Sequence, residues 1–162
     1  MPEQRLKKSA QILIHYSLEI KPGDQLEIRT TPLAQELALL AYEEAIKAGG
    51  YVINSLDLQG GEEIFYKYAS DEQLDFVSPV RKLITESFDA MLVIGAEFNT
   101  RSLSAIDPQR ISRSRKANTE LTKIFLERSA NLDLRWCYTE YPTYASAQEA
   151  DMSLHDYQEF IY

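Results

Sequence analysis

Three polar side chains of different chemistry follow one short apolar run of the sequence. The run spans residues 90–94, and after Gly95 the chain presents Glu97, Asn99 and Arg101. A carboxylate after a central parallel strand faces the crevice where such sheets bind ligands, whereas an amide and a guanidinium can either contact a ligand or attach their loop to the next helix. The sequence therefore predicts Glu97, Asn99 and Arg101 as substrate-proximal residues, and it leaves both roles open for Asn99 and Arg101.

The other groups able to do catalysis are few and lie far apart in the chain. His15 and His155 are the only histidines, and neither has a second histidine at metal-ligand spacing. Cys137, the only cysteine, lies between two aromatic residues in a strand-like run, which predicts a buried and inert thiol. We predict no catalytic residue and no metal ligand within the chain, because a catalytic metal site needs several convergent ligands.

The composition excludes several classes of protein. The 162 residues include 25 acidic and 17 basic side chains, and the resulting net charge of -8 would repel a phosphate backbone, so we expect no nucleic-acid partner. One cysteine allows no internal disulfide, which is typical of a reducing compartment. Since no run reaches the ~18 apolar residues of a membrane span and no signal peptide is recognisable, we expect a cytoplasmic protein without a membrane partner.

Four short strands are predicted to form one sheet. Residues Ala90 to Ile94 are apolar throughout and too few for a helix, which indicates a strand buried on both faces at the sheet centre. The other strands are Asp24 to Thr30, with one wetter face because of Glu27 and its neighbours, then Tyr51 to Ile53, and Leu134 to Thr139. The crossovers between them predict parallel pairing in the order 2-1-3-4, with Leu134 to Thr139 at an edge.

Helical patterns with clear start signals lie between these strands. Thr31 precedes Pro32 as a cap, Ser70 and Gln73 have capping-box spacing, and Ser153 precedes an apolar stripe that ends in Phe160 and Ile161. Further starts are Ser78-Pro79 and Asp107-Pro108, the latter beginning one long helix to about Asn131. The fold class is therefore α/β, a doubly wound, largely parallel sheet of four or slightly more strands with helices on both faces, in one domain over residues 1–162.

Nine short motifs, each weak alone, resemble in their order the thermophilic metallo-aminopeptidases of the M29 type. In chain order they are Lys21-Pro22-Gly23-Asp24, Glu62-Glu63-Ile64-Phe65, Ala69-Ser70-Asp71-Glu72-Gln73-Leu74, Phe88-Asp89-Ala90, Asn99-Thr100-Arg101, Asp107-Pro108, Leu134-Arg135-Trp136, Tyr141-Pro142-Thr143 and Ala147-Gln148-Glu149-Ala150-Asp151-Met152-Ser153. One departure is Asp151, where the family often has glycine. Asp tolerates the left-handed backbone that such a turn may need, so the departure bears on a turn and not on the chemistry that the resemblance implies.

The resemblance implies the N-terminal domain of a longer, two-domain enzyme that releases N-terminal amino acids from peptides. It also implies a homodimer, a C-terminal catalytic domain with two divalent metal ions such as zinc or cobalt, and a role for the present domain in enclosing the active site. The family's metal ligands and catalytic groups match no residue of this chain. The chain alone is therefore expected to be inactive, and the exposed stripe around Phe160 and Ile161 is expected to pack on following residues.

Two other functions remain open from the residues themselves. A free-standing α/β module could bind a small ligand at Glu97, Asn99 and Arg101. An interaction domain could instead use the basic cluster from Arg110 to Lys116, although a solvated helix face is the more frequent reason for such a cluster. No glycine-rich phosphate motif stands between a strand and a helix, so nucleotide binding has no support.

Overall fold

A four-stranded parallel sheet forms the centre of the molecule in a computed structural model that describes residues 3–162. The strands are β1 (Gln25–Thr30), β2 (Tyr51–Leu56), β3 (Ala90–Gly95) and β4 (Arg135–Glu140). Their order is β2-β1-β3-β4 and every neighbouring pair is parallel. The predicted fold class, strand order and interior position of β3 are confirmed.

Helices connect the strands and cover both faces of the sheet. Those preceding the third strand are α1 (Glu3–Gln11), continued by a π-helical segment (Ile12–Ser17), α2 (Gln35–Lys47) after a 3₁₀ turn (Pro32–Ala34), α3 (Gly61–Tyr68), α4 (Asp71–Leu74) and α5 (Pro79–Ser87). Those following it are α6 (Pro108–Ala117), α7 (Thr119–Ala130), α8 (Tyr144–Glu149) and α9 (Leu154–Ile161). Among the described residues, no helix is long and apolar enough to cross a membrane.

The first face of the sheet, toward α1 and α2, carries the main apolar core. Alternate residues of a strand point to the same face of a sheet. Ile28 of β1 and Leu92 of β3 are neighbours in the register, and on this face they belong to one buried cluster with Leu6 of α1 and Leu37 of α2. Ala41 and Ala45 of α2 are also fully buried, which lets this helix approach the sheet closely.

The second face, toward α5 and α7, has a smaller apolar cluster and one buried charge. Ile84, Met91 and Leu134 form the buried cluster. Beside Met91 in the register lies Glu27, whose side chain is fully buried. Its Oε1 accepts hydrogen bonds from Arg81 at 2.6 Å and from Ser55 at 2.7 Å. The predicted wetter face of β1 is therefore wrong at Glu27, because α5 covers the strand and supplies the compensating cation.

Two helix predictions are also corrected. Thr31 makes no side-chain cap; its hydroxyl donates to the carbonyl oxygen of Ala96 at 3.0 Å, and the chain begins with a 3₁₀ turn at Pro32. The long helix after Asp107 is two helices that meet at Asn118, whose φ of -90° and ψ of 9° lie outside the α-helical range. In both places the start or end of the helix depends on a contact or a backbone angle that no periodic pattern of the sequence encodes.

The remaining start signals are confirmed. Ser70 and Gln73 form a reciprocal capping box, and Ser78 and Ser153 accept hydrogen bonds from the third residue of their helices. The apolar stripe of the last helix divides: Tyr157 is buried, whereas Phe160 is 72% exposed.

Candidate functional site

All four strands end at the same edge of the sheet because they run parallel. This carboxyl edge brings together the residues after Thr30, Leu56, Gly95 and Glu140. Ligands of open parallel sheets bind at this edge. The loop after β3 and the first residues after β4 are neighbours here, since these two strands pair along their whole length.

Two threonine hydroxyls fix the β3 end of this edge. Thr30 donates to the carbonyl oxygen of Ile94 at 3.0 Å, and Thr31 donates to that of Ala96 at the same distance. These bonds join the end of β1 to the start of the loop that carries the predicted substrate-proximal residues. The loop therefore leaves the sheet in a defined direction.

A cleft of about 550 Å³ lies between this loop and the segment around α8. Asn99 and Arg101 line it, but Glu97 does not. The remaining lining residues come from both sides, namely Phe98, Thr100, Ala145, Gln148, Glu149 and Asp151. The structure thus brings two of the three predicted substrate-proximal residues to one cleft, while their role remains a prediction.

One carboxylate connects the two walls of the cleft. Oε1 of Glu149 accepts hydrogen bonds from the Thr100 hydroxyl at 2.9 Å and from Nε of Arg101 at 3.1 Å. These donors, the guanidinium first, lower the pKa of the Glu149 carboxyl below its ordinary value. Asn99 accepts from the backbone N–H of Arg101 at 3.0 Å, which shapes the loop locally.

The far wall of the cleft ends in a left-handed residue. Asp151 has a φ of 53°, so the interpretation of Asp as tolerated in a tight turn is confirmed. Its backbone N–H donates to the carbonyl oxygen of Gln148 at 3.2 Å, and that of Met152 donates to Ala147 at 2.9 Å. These bonds hold the residue at the cleft rim, where its side chain is exposed.

A group of tyrosine hydroxyls surrounds Glu140 at the end of β4. Tyr138 donates to one carboxylate oxygen at 2.9 Å and Tyr157 donates to the other at 3.2 Å. Partial burial, followed by the hydrogen bond to Glu140 and the charges of Glu140 and Glu97, raises the pKa of Tyr138 to about 12. A Cβ at Gly95 would lie 2.2 Å from the Tyr138 hydroxyl oxygen, so glycine is what allows the ring to cross the end of β3.

Glu97 is exposed and lies apart from this network of hydrogen bonds. Its charge nevertheless contributes to the raised pKa of Tyr138, so the carboxylate is within electrostatic range of the tyrosine. Among the described residues, Glu97 therefore belongs neither to the lining of the cleft nor to the hydrogen bonds around Glu140.

No metal centre can be built from the residues that the structure describes. Nowhere in residues 3–162 do three His, Cys, Asp or Glu side chains come together in ligand geometry. His15 pairs with Glu44 at 3.0 Å on the helix surface. Cys137 is half-buried and not buried as predicted, and this partial burial raises the pKa of its thiol. The two-metal site implied by the resemblance does not fit these residues, and we derive no chemical step through it.

The basic cluster is partly used to hold the fold together. Arg110 donates to the backbone carbonyl oxygens of Tyr66 and Ala69, and Arg113 forms a forked pair with Asp75 at 2.6 and 2.7 Å. This pairing raises the pKa of Arg113, with the hydrogen bond to Asp75 as the main cause. The cluster therefore attaches α6 to the segment around α4, which weakens its case as a partner surface.

Sequence reasoning missed the residues of the site that come from the end of the chain. Glu149 reaches Arg101 across 48 residues of sequence, Gln148 and Asp151 lie beside it in the cleft, and no local pattern encodes that pairing. Glu140 was within reach, since it follows the predicted fourth strand, and parallel pairing places it beside the loop after β3.

The comparisons with known proteins point to one family. The sequence model of the family described as Peptidase_M29, thermophilic metalloprotease (M29), matches residues 2–162. A solved structure, wild-type AmpT from Thermus thermophilus, superposes with a TM-score of 0.77 at 18% sequence identity, covering 99% of this chain and 42% of that one. At that identity the superposition shows a shared fold, and the present chain spans less than half of the AmpT length. No curated protein matches the sequence significantly.

Proposed function

This chain belongs to the thermophilic metalloprotease (M29) family, and from that premise we propose that it is the N-terminal domain of a metal-dependent aminopeptidase. The observation that carries the proposal is the family match over residues 2–162. The shared fold with AmpT supports it, because that longer protein contains the same α/β unit. In the proposal, the full protein releases N-terminal amino acids from peptides, is a cytoplasmic homodimer, and uses two divalent metal ions such as zinc or cobalt.

The metal ligands belong, in this proposal, to a C-terminal catalytic domain. The described residues gather no ligand set of their own, so this domain has a different task. Its carboxyl edge, with the cleft and the exposed Glu97, is the surface we assign to the active-site cavity. There the loop after β3 helps to enclose the peptide and limit access of bulk water to it.

Turnover by two forms of the protein tests the proposal. The reading frame beyond codon 162 is sequenced, and the 162-residue chain and the product of the complete frame are purified in parallel. Each is loaded with zinc, cobalt or manganese, desalted, and assayed for bound metal and for hydrolysis of leucine p-nitroanilide. We expect stoichiometric metal and turnover in the longer product, and neither in the short chain.

Two results would contradict this assignment. A stop codon directly after Tyr162 would remove the catalytic domain from the proposal. Stoichiometric metal in the short chain, with turnover above that of the free ion, would place the catalytic residues within these 162 positions.

A small-ligand module is the second candidate, because the cleft beside Asn99 and Arg101 has the volume of a ligand site. In that case the short chain would bind its ligand fully and the longer product would show no peptidase activity. The interaction domain has less support, since Arg110 and Arg113 are engaged within the chain.

A further inference from the structure

We infer that the cleft between the loop after β3 and the α8 segment binds a zwitterionic main chain, that of an amino acid or short peptide. Arg101 pairs with the carboxylate and Asp151 with the ammonium group. The inference rests on the proposed function only for the choice of ligand, since it names which part of a peptide this domain contacts. The binding itself is a property of the residues lining the cleft.

The guanidinium of Arg101 is only partly used within the domain. Its Nε pairs with Glu149, and the side chain is 77% exposed. In residues 3–162 its two terminal nitrogens have no hydrogen-bond partner. Two parallel N–H donors match the two oxygens of a carboxylate, so the pair with Glu149 fixes the side chain while the terminal edge stays available.

Asp151 supplies the opposite charge from the α8 side of the cleft. Its carboxylate has no side-chain partner among the residues described, and the left-handed backbone holds it at the rim. The backbone bonds around it, from Asp151 to Gln148 and from Met152 to Ala147, close the turn without using the carboxylate. The residue is thus held in position by its backbone, and its side chain remains open to a ligand cation.

The remaining groups of the cleft favour a main chain over a simple ion. Asn99 and Gln148 present carboxamides, which match the donor and acceptor pattern of a peptide bond, and the exposed ring of Phe98 offers a surface to an apolar side chain. A polyanion such as a phosphate would meet the charges of Glu149 and Asp151, and a metal ion would meet Arg101. A molecule with separated charges of both signs avoids both repulsions.

Titrations of the 162-residue chain test the inference directly. Backbone amide resonances are followed by NMR while leucine, Leu-Gly-Gly, N-acetyl-Leu-Gly-Gly or Leu-Gly-Gly-amide is added. We expect saturable shifts at residues 99–102 and 148–152. The acetylated and amidated peptides should each bind about two- to fivefold more weakly, because each lacks one partly exposed charge pair. Leucine against Leu-Gly-Gly shows whether a single amino acid or a peptide is the better ligand.

Two variants test which residue binds each charge of the ligand, and a third is the control. Arg101→Gln should abolish the preference for a free carboxylate and keep that for a free ammonium group. Asp151→Asn should do the reverse, and asparagine suits the left-handed backbone at this position. Arg115→Gln, outside the cleft, should change neither preference. The NMR spectra report whether each variant is folded.

Two results would overturn the inference. One is the absence of saturable shifts at the highest soluble peptide concentration, and the other is equal affinity for all four probes. Neither bears on the turnover assay of the longer product. Conversely, if the longer product is inactive but the short chain binds the peptides with charge selectivity, the peptidase assignment is refuted and the inference of ligand binding in the cleft stands.

Discussion

The two faces of the sheet are built differently, although both are covered by helices. On the first face, Ile28 and Leu92 meet the apolar sides of α1 and α2, and the interior there is almost entirely hydrocarbon. On the second face the buried apolar cluster has three members, and the fully buried carboxylate of Glu27 lies beside it. Stability on the first face comes from apolar area, whereas on the second it depends on keeping one charge compensated.

Compensation on the second face is incomplete. Both partners of Glu27, Arg81 and Ser55, bind Oε1, and Oε2 is buried without a protein partner among the residues described. A buried charge of this kind is costly to desolvate, and removing its cation leaves the cost uncompensated. We therefore predict that removing one polar partner on the second face lowers the unfolding free energy almost as much as a cavity does on the first face.

The largest effect should come from Leu92→Ala on the first face. The side chain is fully buried at the centre of the sheet, so its truncation leaves a cavity and should lower the unfolding free energy by about 3 kcal/mol. Leu126→Ala is the matched control, since Leu126 is 59% exposed. Urea unfolding of both variants gives the comparison, and equal midpoints would show that the first face is not the main core.

Arg81→Met should be the second largest change. It removes the cation from Glu27 but keeps much of the side-chain volume, and because Arg81 is one third exposed we expect about 2 kcal/mol, below the usual cost of breaking a buried pair. Glu27→Gln together with Arg81→Met should recover part of the loss, because no charge then remains buried. A double variant less stable than Arg81→Met would show that the charge is not the cause.

Leu92 and Glu27 show how much of the fold could be predicted from the sequence alone. The buried run of β3 was predictable because apolar residues at every position leave no solvent face, and the capping box at Ser70 was predictable because its partners lie three residues apart. Glu27 was not, because its cation is 54 residues away and a charged residue in an alternating strand normally faces water. At the cleft, the loop after β3 followed from the strand direction, but Glu149 and Asp151 are positioned only by the fold.

Gly95→Ala should have a moderate effect where β3 and β4 end. The new methyl group would meet the Tyr138 hydroxyl and force the ring to turn, which should cost about 1 kcal/mol and break the hydrogen bond to Glu140. Combining it with Tyr138→Ala should remove most of the additional cost. Full additivity of the two changes would show that the ring does not cross this glycine.

The same variant should alter a titration. The pKa of Tyr138 is raised to about 12 in the folded protein, so its stabilising contribution is complete below the ordinary tyrosine pKa and is lost as the pH rises from about 10 to about 12. In Gly95→Ala the Tyr138 pKa should fall toward its ordinary value. NMR of ring-labelled tyrosine measures it, and Tyr138→Phe assigns the resonance.

The smallest effect should come from Arg101→Gln, which removes an exposed ion pair and serves as the baseline for Arg81→Met. Solvent screens this pair, so the thermal midpoint should not change measurably. The pKa of Glu149 should nevertheless rise toward its ordinary value, since its main hydrogen-bond donor is gone. A carboxylate titration by NMR checks this, and a midpoint shift as large as that of Arg81→Met would remove the distinction between buried and exposed pairs.

Two arginines connect the start of the chain to its last elements. Arg135 of β4 donates to the carbonyl oxygens of Leu18 and Glu19 at the end of the first helical segment, and Arg5 of α1 pairs with Glu159 of α9 at 2.6 Å. During synthesis, α1 therefore leaves the ribosome long before Glu159, its ion-pair partner in α9, exists. Its buried Leu6 packs with Leu37 and Leu92, so this part of the core can form once the third strand has been made. The contacts of Arg5 and Arg135 come later, and such closure between distant parts of the chain is slow.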